Sequence, residues 1–270
     1  MDGDITAYAD VHSHLVPDVD DGARSVEDVL EAIDRFIRYG VRKFITTPHL
    51  DGSLTHDPTR LKERLDLVSE AFDEAAEAVG GRFPEVEFRR GHEVMLDVPE
   101  VDFTDPRTRL AGTSFVLVEW PRLQLPPGTS GVVARIVAQG YRPIIAHPER
   151  YVGMELATAE AWRDAGALLQ VNLGSLVSRY GADARTLAYR LLRRGWADYL
   201  ASDFHGRPER SLYLEEARAQ LREVGGQEAF VHLYLTNPAR ILRDEAPLPV
   251  PSLPEEQGFW AKVREFLGTA

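Results

Sequence analysis

The chain has 270 residues, a length that fits one α/β barrel of roughly 250 residues as readily as two smaller domains. Hydrophobic residues make up 44% and charged residues 27%, and the absence of Cys excludes disulfides, thiolate metal sites and thiol nucleophiles. The net charge of −12 argues against a uniformly basic nucleic-acid binder. No apolar run approaches the roughly 18 residues of a membrane span. The acidic start, Met1-Asp2-Gly3-Asp4, lacks the basic and apolar regions of a signal peptide, so a soluble cytoplasmic chain is expected.

Short β-type runs alternate with longer helical stretches. The β-type runs are Tyr8–Val11, Lys43–Thr47, Val86–Gly91, Phe115–Val118, Arg142–Ala146, Leu168–Val171 and Tyr199–Ser202. Most are nearly continuous in apolar residues, as strands buried on both faces should be. Ser25-Val-Glu-Asp reads as a capping box that opens a helix ending at Gly40. Pro58 to Val79 reads as a long amphipathic helix closed by Gly80-Gly81, and further helices are expected over 130–139, 156–165, 183–194, 209–224 and 255–267. Leu96–Leu110 reads as a loop, and the stretch 246–254, with four prolines, as a tail leading the last helix back to the body. Alternating strand and helix implies a parallel sheet or barrel.

Each β-type run is followed by a polar residue: His12, His49, Glu93, Glu119, His147, Asn172 and Asp203. They stand about 32 residues apart on average, close to the period of about 31 in an α/β barrel. Seven such units predict a (β/α)7 barrel variant, one domain over 1–270, with these residues gathered at the C-terminal mouth.

His12 and His14, two apart on one strand, share a face and can hold one ion. The turn that follows carries Asp18, Asp20 and Asp21, of which at least one is expected to cap or solvate the turn. Pro48 ends its strand and points His49 into the mouth. Glu93, judged by its own surroundings, reads as a solvated loop residue, and His92 should point away from it. Glu119 directly follows a buried strand, where a carboxylate is costly unless paired or metal-bound. His147 ends a strand in Ile-Ala-His-Pro-Glu-Arg, with Arg150 as a bidentate phosphate fork just above it. Asp203 and His205 share a face, as His12 and His14 do, and Arg207 follows as a second phosphate fork. Mixed imidazole and carboxylate donors suit Mn²⁺, Fe²⁺ or Zn²⁺ better than Ca²⁺. So many donors imply two or three ions, an arrangement suited to phosphoester hydrolysis.

The segments DVHSHLVPDVDDGARS, ITTPHL, GHEV, VLVEW, IIAHPERY, LLQVNLGS, ASDFHGR and TNPARIL resemble the polymerase and histidinol phosphatase superfamily over about residues 8–243. The likeness is to its bacterial protein-tyrosine phosphatase branch, associated with capsular and exopolysaccharide synthesis. The resemblance implies a distorted (β/α)7 TIM-like barrel with three metal ions. One would take His12, His14, Glu93 and Asp203; a second Glu93, Glu119 and His147; a third Asp21, His49 and His205. Asp21 is favoured over its neighbours because it directly precedes Gly22. Arg150 and Arg207 match phosphate-binding arginines, with Arg210 as rival to Arg207. His56 has no counterpart and is expected at the surface. The implied activity is hydrolysis of phosphotyrosine with manganese as the first choice of metal and iron or zinc as alternatives. The implied partner is the tail of a tyrosine autokinase. A histidinol-phosphatase-like enzyme, a silent metal-binding scaffold and a DNA-processing phosphoesterase are the competing readings.

Overall fold

The computed structural model describes residues 7–254. Nine parallel strands run β1 Tyr8–Asp10, β2 Val41–Thr46, β3 His49–Asp51, β4 Glu87–Arg90, β5 Glu93–Met95, β6 Phe115–Glu119, β7 Arg142–Ala146, β8 Leu168–Asn172 and β9 Tyr199–Ala201. They form a sheet of order β1-β2-β4 and another of order β3-β5-β6-β7-β8-β9. Two strands more than the sequence predicts arise because two predicted strands break and resume. Pro48 cannot donate a ladder bond. Thr46 and Pro48 still accept, from Gly91 N at 2.8 Å and Glu93 N at 3.2 Å. β3 and β5 therefore continue β2 and β4 one step further up the barrel, leaving seven strand positions.

The ring closes between the first and last strands. Ser13 bridges Phe204, Asp203 N donates to His12 O at 2.9 Å, and His14 N donates to Phe204 O at 2.8 Å. Asp10 reinforces the closure by accepting from Ser202 N and Ser202 Oγ, both at 2.8 Å. Inward residues Val11, Ile45, Phe115, Leu117, Ile144, Ala146, Tyr199 and Ala201 form one apolar plug. Phe44, Val116, Val118, Ile145, Leu169, Val171 and Leu200 join the larger core shared with the surrounding helices. Two-sided burial explains the unbroken apolar runs. The same alternation carries Glu119, Gln170, Asn172 and Asp203 inward above the plug.

The helices are α1 Val26–Ile37, α2 Pro58–Arg82, α3 Thr129–Ala138, α4 Leu156–Asp164, α5 Leu173–Leu176, α6 Ala182–Arg193, α7 Leu214–Glu223, α8 Gln227–Val231 and α9 Asn237–Ile241. Ser25 caps α1 by accepting from Asp28 N, while the returning bond to Asp28 comes from Arg24 N instead of Ser25 N. α2 passes through Gly80-Gly81 to Arg82. Neither glycine takes a positive φ, and Phe83 N bonds Val79 O between two buried side chains, which holds the last turn. α7 begins at Leu214, not 209, because Arg35 of α1 fixes the preceding loop through Pro208 O at 3.1 Å and Arg210 O at 2.7 Å. The proline-rich tail lies on the body through buried Val250 and Leu253. The helix expected over 255–267 lies outside the described residues. No helix among the described residues is long and apolar enough to cross a membrane.

Candidate metal centre

Nine polar side chains converge at the C-terminal mouth of the barrel. Glu93 is their hub. Its Oε2 lies 3.2 Å from His12 Nε2, 3.4 Å from His14 Nε2 and 3.3 Å from His49 Nδ1, and its Oε1 lies 3.0 Å from His147 Nε2. Its residue surface is 1% exposed, which corrects the reading of Glu93 as a solvated loop residue. The break at Gly91-His92 turns β5 inward and takes Glu93 with it. His92 points away as expected, with Nδ1 at 2.9 Å from Arg107 O.

Asp203 Oδ1 faces His12 and His14 Nε2, both at 3.5 Å, and His205 Nδ1 at 3.7 Å. Glu119 lies 3.5 Å from His49 Nδ1 and 3.8 Å from His147 Nε2. Asp21 bridges His49 Nε2 at 3.5 Å and His205 Nε2 at 3.4 Å. Potential donor atoms fall within 4.8 Å of one another in four overlapping groups. These are His14 with Asp21, His49 and His205; His12 with His147 and Asp203; His12 with His14 and Glu93; and His49 with Glu93 and Glu119. All nine predicted ligands are thus neighbours, and His14 and His49 each reach more than one group.

Backbone conformation contributes to the aim of two of these side chains. His147 (φ 33°) and Asp203 (φ 51°) adopt the left-handed region, which costs energy for residues other than glycine. Gly22 meets a different demand. A Cβ there would lie 2.3 Å from His14 O and 2.5 Å from His14 Cβ, so only glycine lets the acidic turn approach His14.

Side chains behind the cluster fix the imidazoles. Asp203 Oδ2 can only accept, and it takes bonds from Arg150 Nη1 at 2.5 Å and Asn172 Nδ2 at 2.8 Å. Asn172 must then turn Oδ1 toward Gln170, which donates Nε2 to it at 2.8 Å. Gln170 in turn presents Oε1 to His12 Nδ1 at 2.8 Å. The relay therefore puts the His12 proton on Nδ1 and leaves its Nε2 lone pair facing Glu93 and Asp203. His14 Nδ1 meets Asp20 Oδ2 at 2.7 Å, and His205 Nδ1 meets Asp203 O at 2.9 Å, with the same consequence. His12 Nε2 and His14 Nε2 are buried and without a hydrogen-bond partner, as nitrogens reserved for a metal would be.

Without cations the acids draw protons onto the rings. Burial would lower the His12 pKa, but Glu93 and Asp203 outweigh it and raise it to about 9. His14 is raised well above its ordinary value, against its own burial, chiefly by Asp20, Asp203 and Glu93. Burial and the Glu93 charge push Glu119 up to about 7. Convergent buried carboxylates of this kind are costly unless neutralised, and divalent cations do so while replacing the ring protons. The donor set fits metal ions.

Three residues behind or beside the cluster were not picked out as site residues from the sequence. Asp20 orients His14 and also accepts from His49 N at 3.1 Å and Gly22 N at 2.9 Å. Gln170 lies two positions before Asn172 in an otherwise apolar strand, a period-two signal that could have marked it. Tyr180 packs its ring against Arg150, whose Cζ is 4.3 Å from the ring centroid. A cavity of about 450 Å³ adjoins the cluster, lined in part by Asp21, Arg150, Tyr180, Asp203, His205 and Arg210. Arg207 lies outside that lining and donates Nη2 to Asp21 O at 3.0 Å. His56 is exposed, with Nε2 at 2.6 Å from Glu100 O.

A parallel barrel with imidazoles and carboxylates gathered at its strand ends defines a metallohydrolase-type centre. Residues 8–243 match the family described as capsular polysaccharide synthesis, CpsB/CapC, and the chain belongs to that family. It is 27% identical over 251 residues to the tyrosine-protein phosphatase YwqE of Bacillus subtilis, covering 91% of this chain and 95% of that protein. It is 25% identical over 247 residues to the tyrosine-protein phosphatase CpsB of Streptococcus pneumoniae, covering 87% and 98%. A solved structure described as YwqE from Bacillus subtilis and CpsB from Streptococcus pneumoniae, unique metal-dependent tyrosine phosphatases, superposes with a TM-score of 0.75. It is 24% identical and covers 92% of this chain and 99% of that one. That likeness extends to the barrel as a whole.

Proposed function

We propose that this chain is a metal-dependent protein-tyrosine phosphatase. The observation that carries the reading is the cluster of five imidazoles and four carboxylates beside Arg150 and an open cavity. His12, His14, Glu93 and Asp203 would hold one ion, Glu93, Glu119 and His147 a second, and Asp21, His49 and His205 a third. Manganese is the first choice, with iron or zinc as alternatives. Bound divalent ions supply a nucleophile from water at neutral pH and neutralise charge on the phosphoryl oxygens.

The protein's own groups supply the rest. Arg150 keeps a permanent charge at the cavity wall and uses one N–H on Asp203, leaving others for phosphoryl oxygens. Gln170, Asn172 and Asp20 hold the ligand imidazoles in one tautomer and orientation. A tyrosyl leaving group has a pKa near 10, so it needs less proton donation than an alkoxide would. Arg207 steadies the Asp21 turn through the backbone, whereas Arg210 lines the cavity.

The proposed natural substrate is the phosphotyrosyl tail of a tyrosine autokinase in the cytoplasm. The family's link with capsular polysaccharide synthesis supports this choice. The test compares phosphotyrosyl peptide, histidinol phosphate and DNA as substrates of protein first stripped of metal and then loaded with Mn²⁺. Metal-dependent turnover of the peptide is expected, and faster turnover of histidinol phosphate or DNA would overturn the assignment.

A further inference from the structure

The turn after α5 is built to present one side chain. Ser178 takes a positive φ of 65° and Gly181 one of 95°, and Gly181 N closes the turn on Ser178 O at 3.1 Å. Between them stands Tyr180, half-buried at the cavity wall. The Arg150 guanidinium lies 4.3 Å from its ring centroid, closer than the Arg179 guanidinium at 5.8 Å from the same centroid. Arg150 is therefore held from two sides, by this ring and by Asp203. Besides its ring, Tyr180 carries a phenolic hydroxyl. Burial keeps that hydroxyl un-ionised at neutral pH, so its part is structural and not that of a base.

We propose that Tyr180 determines specificity for aromatic phosphate esters: it holds Arg150 at the phosphoryl group and offers its remaining ring surface to the substrate's aryl ring. Aromatic rings gain from offset or edge contacts beyond area burial, whereas an alkyl ester gains no such contact. Tyr213 lines the same cavity and supplies a second aromatic wall. The inference rests on the phosphatase reading above.

The test uses metal-loaded full-length protein and two non-hydrolysable probes, phenylphosphonate and methylphosphonate, with affinities measured by calorimetry. The wild type is expected to favour the phenyl probe by about tenfold, the scale of an aromatic contact. Tyr180→Phe keeps that preference. Tyr180→Ala lowers it to about twofold or less and weakens both probes several-fold, as expected when the stacked cation is released. Bound metal and thermal unfolding are measured on each variant, and Tyr180→Leu replaces the alanine variant if that one does not fold. A wild-type preference surviving in Tyr180→Ala, or no preference in the wild type, overturns this inference alone. Failure of the wild type to bind either probe overturns the phosphatase reading as well.

Discussion

Replacing Gln170 by Leu tests the relay that sets the His12 tautomer. Gln170 is fully buried and makes two hydrogen bonds of 2.8 Å, to His12 Nδ1 and Asn172 Oδ1. Leu has a similar volume, so the change orphans two buried polar groups without opening a large cavity. Each orphan costs about 1–3 kcal/mol, and the added apolar burial of Leu returns about 1 kcal/mol. A net loss of about 3 kcal/mol is expected in the metal-free protein, read as a lower urea midpoint with an unchanged slope. With its orienting acceptor gone, His12 populates the wrong tautomer and ring angle, and metal affinity falls about 10–100-fold. Competitive metal titration of the same samples measures this. A variant that unfolds at the wild-type midpoint and binds metal with wild-type affinity would refute the relay.

Removing the Arg150 charge by Arg150→Ala should raise KM or cut kcat by about 10–100-fold, the worth of a charged hydrogen bond, with bound metal unchanged. Steady-state kinetics with metal analysis checks this. Metal binding should release at least two protons near pH 7.5, because His12, His14 and His49 are all raised above their ordinary value in the metal-free protein. His12 holds its proton until the pH rises through about 9, so the release should shrink above that value. Calorimetry in buffers of different ionisation enthalpy measures the count, and release of no protons would contradict these protonation states. Loading each site at a hundredfold excess over Kd should stabilise the protein by about 2.7 kcal/mol per site, and an unchanged melting temperature would contradict binding to the native state.

The sequence shows the barrel's rhythm because strands buried on both faces must be apolar, and a polar residue at each strand end interrupts that run. His12, His14, Glu119, His147 and Asp203 stand out for this reason. Glu93 also stands at a strand end, but its own surroundings read as a solvated loop, since its burial depends on the break at Gly91-His92 and on the pairing of β5 with β3 and β6. The breaks after β2 and β4 were likewise hidden, because Pro48 signals an end but not a resumption at the very next residue, His49. Asp20 and Asp21 are adjacent and chemically alike. The tight passage of Gly22 past His14 buries Asp20 behind that ring and leaves Asp21 between His49 and His205. Tyr180 carries no sequence signal of its own. Its role depends on a left-handed turn and on an arginine thirty residues earlier in the chain.

The proposed phosphatase works through metal ions held at the barrel mouth. The most direct measurement pairs bound-metal stoichiometry with turnover of a phosphotyrosyl peptide, before and after exhaustive chelation and after Mn²⁺ is restored. The account predicts two or three ions per chain, loss of turnover on chelation and recovery with metal. Full activity after chelation, or a folded protein that binds no metal at all, would contradict it.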